Sequence, residues 1–217
     1  MKLKLIVITY GIFSFFSCGQ KNKLTQQEIE LLKKIDFKNE LLSELKVLTQ
    51  KELKQLPEYE NETGDVLKYK FFNGVFTETT VENATRIVKN LKEKYRNNGY
   101  LIFQYESEDY KVCIAVIKGK DDLDIIKYRR TDGINYGIDN EDLIKKISDW
   151  NTKYGLIVIG CSRDWLHVEF DKMPTDMNAF TNEVFTFCPD TVHQGVGTID
   201  KLKEVIIKMK GVWLWWD

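Results

Sequence analysis

The sequence predicts an α+β fold: a mixed β-sheet covered by amphipathic helices, with an aromatic C-terminal strand buried in the sheet. Three observations predict it. Segments with apolar residues at helical spacing alternate with short apolar or alternating runs that read as strands. Three of those helices pass into strands through Gly99, Gly155 and Gly211, the residue type that closes a helix in the left-handed region. The last segment, Trp213-Leu214-Trp215-Trp216-Asp217, carries three tryptophans, an apolar load that is stable only when buried.

Composition narrows the function classes. The chain has 217 residues, of which 43% are hydrophobic and 12% aromatic, enough to fill a sizeable core. Charged residues make up 30%, yet the formal net charge is -1. No basic excess exists to hold a phosphate backbone, which argues against nucleic acid as a partner.

Residues 1–17 read as a signal peptide. Lys2 and Lys4 form a positive start, and an apolar run through Phe15-Phe16 follows that is too short for an ordinary membrane span. Ser17 precedes Cys18, and the pair resembles a bacterial lipoprotein signal. That resemblance implies a lipidated Cys18 as the first mature residue and membrane attachment through it. The implied location is the bacterial cell envelope, on the outer membrane or the periplasmic face rather than in the cytoplasm. Gly19 stands where an inner-membrane retention signal has aspartate, which favours the outer membrane. Residues 18–24 read as a polar tether, 25–78 as an N-terminal α/β annex, and 79–217 as the main domain.

Along the annex, residues 25–35 read as a helix with Ile29, Leu32 and Ile35 on one side. The apolar runs from Leu41 to Leu53 fit helix or strand, and residues 66–71 alternate as a strand. Pro57, Gly64 and Gly74 mark turns. In the main domain Thr79 and Glu82 fit a capping box, followed by a stripe of Val81, Ala84, Ile87, Val88, Leu91 and Tyr95. Residues 100–105 and 110–117 read as strands, with a third expected over 123–128. The pattern then repeats. Asp139 or Asn140 caps a helix with Leu143, Ile144, Ile147, Trp150 and Tyr154 inward, and residues 156–161 and 165–170 form a hairpin. The repetition reads as a common supersecondary solution rather than a duplication. Pro174 is expected to open the next helix, with Met177, Phe180, Val184 and Phe187 inward and Pro189 ending it. Thr198 caps the last helix, lined by Ile199, Leu202, Val205, Ile206 and Met209, and residues 212–216 form the final strand.

Several constellations could carry chemistry. Cys188, Asp190 and His193 have the composition of a thiol, an orienting carboxylate and a base. Against that, Cys188 closes a helix, where the dipole opposes a thiolate. The plain alternative has Cys188 packed under the aromatic terminus and Asp190 holding the turn. His167, alternating within a strand, is the only other histidine, and no zinc-type spacing exists, so no metal is expected. Asp121, Asp122 and Asp124 read as a solvated turn rather than a calcium loop. Gly195 and Gly197 lead into a helix N-terminus, where anions bind, but helix capping by Thr198 explains them equally well. Trp165, Trp213, Trp215 and Trp216 form either core or a recognition face. In a strand, Trp213 and Trp215 share one side, Leu214 and Trp216 the other. Apart from Cys18, three cysteines remain, Cys113, Cys161 and Cys188, and the sequence does not choose a disulfide pair among them.

The C-terminal half resembles the DUF4253 domain, a family of bacterial proteins of uncharacterised function. The residues that carry the resemblance are Asp132-Gly133-Ile134-Asn135-Tyr136, Trp150 with Tyr154-Gly155, Asp164-Trp165, Pro174 with Asp176, Phe187-Cys188-Pro189-Asp190, Gln194-Gly195 with Gly197, and Leu214-Trp215-Trp216-Asp217. They run in the family's order from about residue 100 to the end. The resemblance carries over no activity, and no cofactor is expected. The lipoprotein signal, the aromatic-rich core and the lack of a convincing catalytic set point to a non-enzymatic, envelope-anchored domain that binds a protein or a small ligand. Two alternatives are a thiol-dependent or hydrolytic enzyme centred on Cys188, Asp190 and His193, and an immunity-type protein.

Overall fold

The computed structural model describes residues 23–60 and 63–217; the signal peptide, Cys18 and most of the tether lie outside them. The strands are β1 (Lys54–Tyr59), β2 (Val66–Glu78), β3 (Tyr100–Glu106), β4 (Val112–Lys118), β5 (Leu156–Cys161), β6 (Trp165–Phe170) and β7 (Gly211–Trp215). The helices are α1 (Gln26–Lys34), α2 (Asn39–Thr49), α3 (Val81–Asn97), α4 (Leu123–Arg129), α5 (Asn140–Tyr154), α6 (Met177–Phe187) and α7 (Ile199–Met209). All seven strands join one sheet in the order β1-β2-β4-β3-β5-β6-β7. Neighbours are antiparallel except β3 and β5, which are parallel.

Strand alternation builds a core on each face. Leu101, Phe103 and Tyr105 of β3 and Cys113, Ala115 and Ile117 of β4 face α4, α5, α6 and α7. Tyr100, Ile102, Ile114 and Val116 face α1, α2 and α3. Strands buried on both sides read as continuous apolar runs, which is how β3, β4 and β5 appear in the sequence. Residues 25–78 supply α1, α2, β1 and β2, and β2 is hydrogen-bonded to β4 within the same sheet. The buried C-terminal strand follows the expected alternation: Leu214 and Trp216 enter the core, while Trp213 is 39% exposed. Of the two helix–glycine–hairpin units, α3–β3–β4 lays its helix on one face of the sheet and α5–β5–β6 on the other.

Local structure departs from expectation in several places. The strand expected over 123–128 is α4. Its first turn is nucleated by Asp121, whose side chain accepts the Leu123 amide at 3.0 Å, and seven residues are too few for a helical period to show in the sequence. The acidic run is not a solvated turn throughout, since Asp122 is buried and held by Arg96 at 2.6 Å and Lys92 at 3.2 Å. Thr80 rather than Thr79 caps α3, because Thr79 still extends the strand by donating its amide to the Val112 carbonyl. The strand expected to start at Tyr110 starts at Val112 because Tyr110 turns the chain with φ 58. Asp176, not Pro174, opens α6 by accepting the Ala179 amide. The chain does not become a plain turn after Pro189 but coils again through a π-helical turn, Thr191–Val196. Lys210 takes the left-handed position assigned to Gly211. Gly211 begins β7, where a side-chain carbon would run into the Val168 carbonyl of β6.

Candidate functional site

The strands β3, β5 and β7 run in one direction, and all three end beside one pocket. It has a volume of about 330 Å³. Ligands in sheets with parallel strands commonly sit beyond the carboxyl ends of those strands. Glu106 comes from the end of β3, Ser162, Arg163 and Asp164 from the β5–β6 turn, and Trp216 and Asp217 from just beyond β7. The loop after α4 adds Asp132, Gly133, Ile134 and Asn135, and β1 adds Tyr59.

The motif residues hold this wall together. Gly133 lies flat against the indole of Trp216, where a side-chain carbon would be 2.9 Å from the ring. The Trp216 amide donates to the Asp164 carbonyl at 3.0 Å, and the Asp132 amide to the Arg163 carbonyl at 2.9 Å. Tyr136 donates its hydroxyl to Asp190 at 2.5 Å, and the Asp217 amide donates to the other Asp190 oxygen at 3.1 Å. Burial pulls the Asp190 carboxyl up, but these bonds outweigh it and hold it below its ordinary value. The Cys188 thiol bonds to the backbone of Trp215, donating to its carbonyl at 3.0 Å and accepting its amide at 3.2 Å. Thus the Phe-Cys-Pro-Asp and Leu-Trp-Trp-Asp segments are clamped to each other.

At the floor lies Arg129, the last residue of α4, only 3% exposed. Its guanidinium carbon sits 4.5 Å from the ring centre of Tyr59 and 4.7 Å from that of Tyr105, close enough for cation–π attraction. One terminal nitrogen donates to the Tyr59 hydroxyl. The other reaches the Glu106 carbonyl and the Ser162 hydroxyl only at 3.4 Å each, and Nε has no partner among the described residues. Burial, reinforced by the negative charge of Asp164, raises the Glu106 carboxyl above its ordinary value.

The other candidates are placed differently. Cys188 is fully buried, and burial, with Asp190 acting the same way, pushes its thiol up to about 11. His193 is exposed, its ring packed edge-on against Phe185, and among the described residues no hydrogen bond joins it to Cys188 or Asp190. Cys113, Cys161 and Cys188 are all free and buried. His167 stacks on Trp213 with ring centres 5.1 Å apart, and burial pushes its pKa down to about 4. Trp165 stacks on Trp213 as well, with ring centres 5.0 Å apart. Trp213 and Trp215, with Gly195, border a separate apolar groove under α7. Gly197 closes the π-helical turn with φ 84, and Thr198 caps α7. Among the described residues no group of three or more His, Cys, Asp or Glu could hold a metal ion.

Sequence reasoning singled out Trp216 at this pocket and missed Arg129, Tyr59, Glu106 and Ser162 as site residues. Their only signal was indirect: Asp132-Gly133, Asp164 and Trp216-Asp217, carried by separate motifs, meet at one place.

Residues 113–217 match the family model described as a domain of unknown function (DUF4253). No curated protein and no solved structure matches the chain.

Proposed function

We propose that this chain, whose residues 113–217 match the DUF4253 family model, is a non-enzymatic binding domain, tethered to the bacterial cell envelope through Cys18, whose ligand site is the pocket over Arg129. One observation carries the binding part. Three motif segments far apart in sequence, around Asp132-Gly133, Asp164 and Trp216-Asp217, line the same pocket. A scaffold needs no such convergence on an open polar cavity, whereas a binding site does. The buried, hydrogen-bonded thiol of Cys188 and the outward His193 favour binding over thiol catalysis, because a nucleophile needs its base within reach.

The anchor rests on the positive start, the apolar run and the Ser17-Cys18 pair. Among the described residues no helix is long and apolar enough to cross a membrane. Cys18→Ala is expected to abolish incorporation of labelled fatty acid and to move the protein from the membrane to the soluble fraction. A wild-type protein that takes up no label and fractionates as soluble would remove the anchor from this reading.

A further inference from the structure

We infer that the pocket takes a small zwitterion, of amino-acid to dipeptide size, with its carboxylate on Arg129 and its ammonium against Glu106 and Asp164. This rests on the reading of the pocket as a ligand site and adds the chemistry of the ligand.

Opposite charges are left apart across one cavity. Arg129 is a buried cation, and among the described residues no carboxylate lies within ion-pair distance of it. A buried charge without a counter-charge is costly, and aromatic rings offset only part of that cost. The two bonds from its outer nitrogen are at the weak limit of length, so that nitrogen can take a better acceptor. A carboxylate is such an acceptor, because charge-assisted bonds to guanidinium are the strong ones. Ser162, whose hydroxyl already bonds the Glu106 carbonyl at 3.3 Å, stands beside it as a further donor or acceptor.

The rim has the reverse sign. Glu106, Glu108, Asp132, Asp164 and Asp217 line the pocket against Arg129 and Arg163. Arg163 is already engaged by Asp65 at 3.6 Å. Among the described residues neither the Glu106 nor the Asp164 carboxylate has a cation within ion-pair distance, and the charge of Asp164 adds to burial in disfavouring that of Glu106. An ammonium between them would relieve that repulsion. A ligand with two anionic groups would meet the acidic rim with the second. A ligand with only cationic groups would leave Arg129 uncompensated and add repulsion. Only a molecule bearing both charges satisfies floor and rim together. The cavity, about 330 Å³, is at the small end of ligand sites, which run from roughly 300 to 1,000 Å³, and that size suits an amino acid or a dipeptide. Tyr59 and Trp216 supply apolar wall for the remainder of the ligand.

The test is isothermal titration calorimetry on the full-length protein in detergent. The probes are the common α-amino acids, a set of dipeptides, succinate, putrescine and glucose. At least one amino acid or dipeptide is expected to bind at one site per chain, with succinate, putrescine and glucose about tenfold weaker or more. Amino acids binding without dipeptides identify a free metabolite, and the converse a peptide product. Arg129→Gln, Glu106→Gln and Asp164→Asn are each expected to weaken binding about tenfold or more, and Trp213→Ala to leave it unchanged. Should Arg129→Gln fail to fold by circular dichroism, the exposed Asp164→Asn carries the comparison. Succinate, putrescine or glucose binding best, with sensitivity to the same substitutions, overturns the zwitterion and leaves the pocket standing. Binding insensitive to all three substitutions overturns both. Absence of heat from every probe at millimolar concentration overturns the zwitterion.

Discussion

Trp216→Ala is expected to lower the stability of the domain by about 3–5 kcal/mol, the range for large aromatic truncations in cores. Trp216 is 3% exposed, packs edge-on against Phe187 with ring centres 5.6 Å apart, and donates its indole nitrogen to the Phe187 carbonyl at 3.3 Å. It also faces Gly133, so truncation opens a void on the pocket wall that the flat backbone there cannot fill. Trp213, on the opposite side of β7, is 39% exposed. Trp213→Ala loses mainly its stacking on Trp165 and His167 and is expected to cost roughly 1 kcal/mol. Urea unfolding followed by circular dichroism separates the two. Equal midpoint shifts would mean that the strand is not buried on one side as described.

Asp122→Ala is expected to cost a similar amount, about 3–5 kcal/mol, because breaking a buried ion pair strands its partner. Asp122 joins three elements: it accepts from Arg96 at 2.6 Å and from the Val158 amide of β5 at 2.7 Å, and it pairs with Lys92 at 3.2 Å. Lys92 is 7% exposed, and burial already lowers its pKa, only partly countered by Asp122. Once the carboxylate is gone, the ammonium is left with the Val158 carbonyl as its hydrogen-bond partner. Adding Lys92→Met removes the stranded charge and is expected to recover a large part of the loss in the same unfolding assay. A double variant as unstable as Asp122→Ala alone would show that the ion pair is not the source of the cost.

The contrast between these residues shows what the sequence could reveal. Trp216 and Leu214 were legible because alternation in a five-residue strand needs only adjacent residues. The helix–glycine–strand junctions at Gly99 and Gly155 were legible for the same reason. Helix α4 was not: over seven residues, the run Leu123, Ile125, Ile126, Tyr128 fits either period, and the side chain that holds the preceding Asp122, Arg96, lies on distant α3. Arg129 was least legible. An arginine in the basic stretch Lys127-Tyr128-Arg129-Arg130 carries no mark of burial, and its neighbours Tyr59, Tyr105 and Ser162 come from β1, β3 and the β5–β6 turn. Conversely, Cys188, Asp190 and His193 lie within six residues of one another, yet the end of α6 and the π-helical turn aim them apart. Cys188 turns to Trp215, Asp190 to Tyr136 and Asp217, and His193 to Phe185 at the surface.

The function proposed for this domain is ligand binding at the pocket over Arg129. Backbone amide shifts during titration with amino acids and dipeptides test it most directly. They are expected to concentrate on residues 106–107, 132–135, 162–164 and 216–217, which line that cavity. Shifts gathered on Trp165, His167 and Trp213, or on Cys188 and His193, with these segments silent, would contradict it.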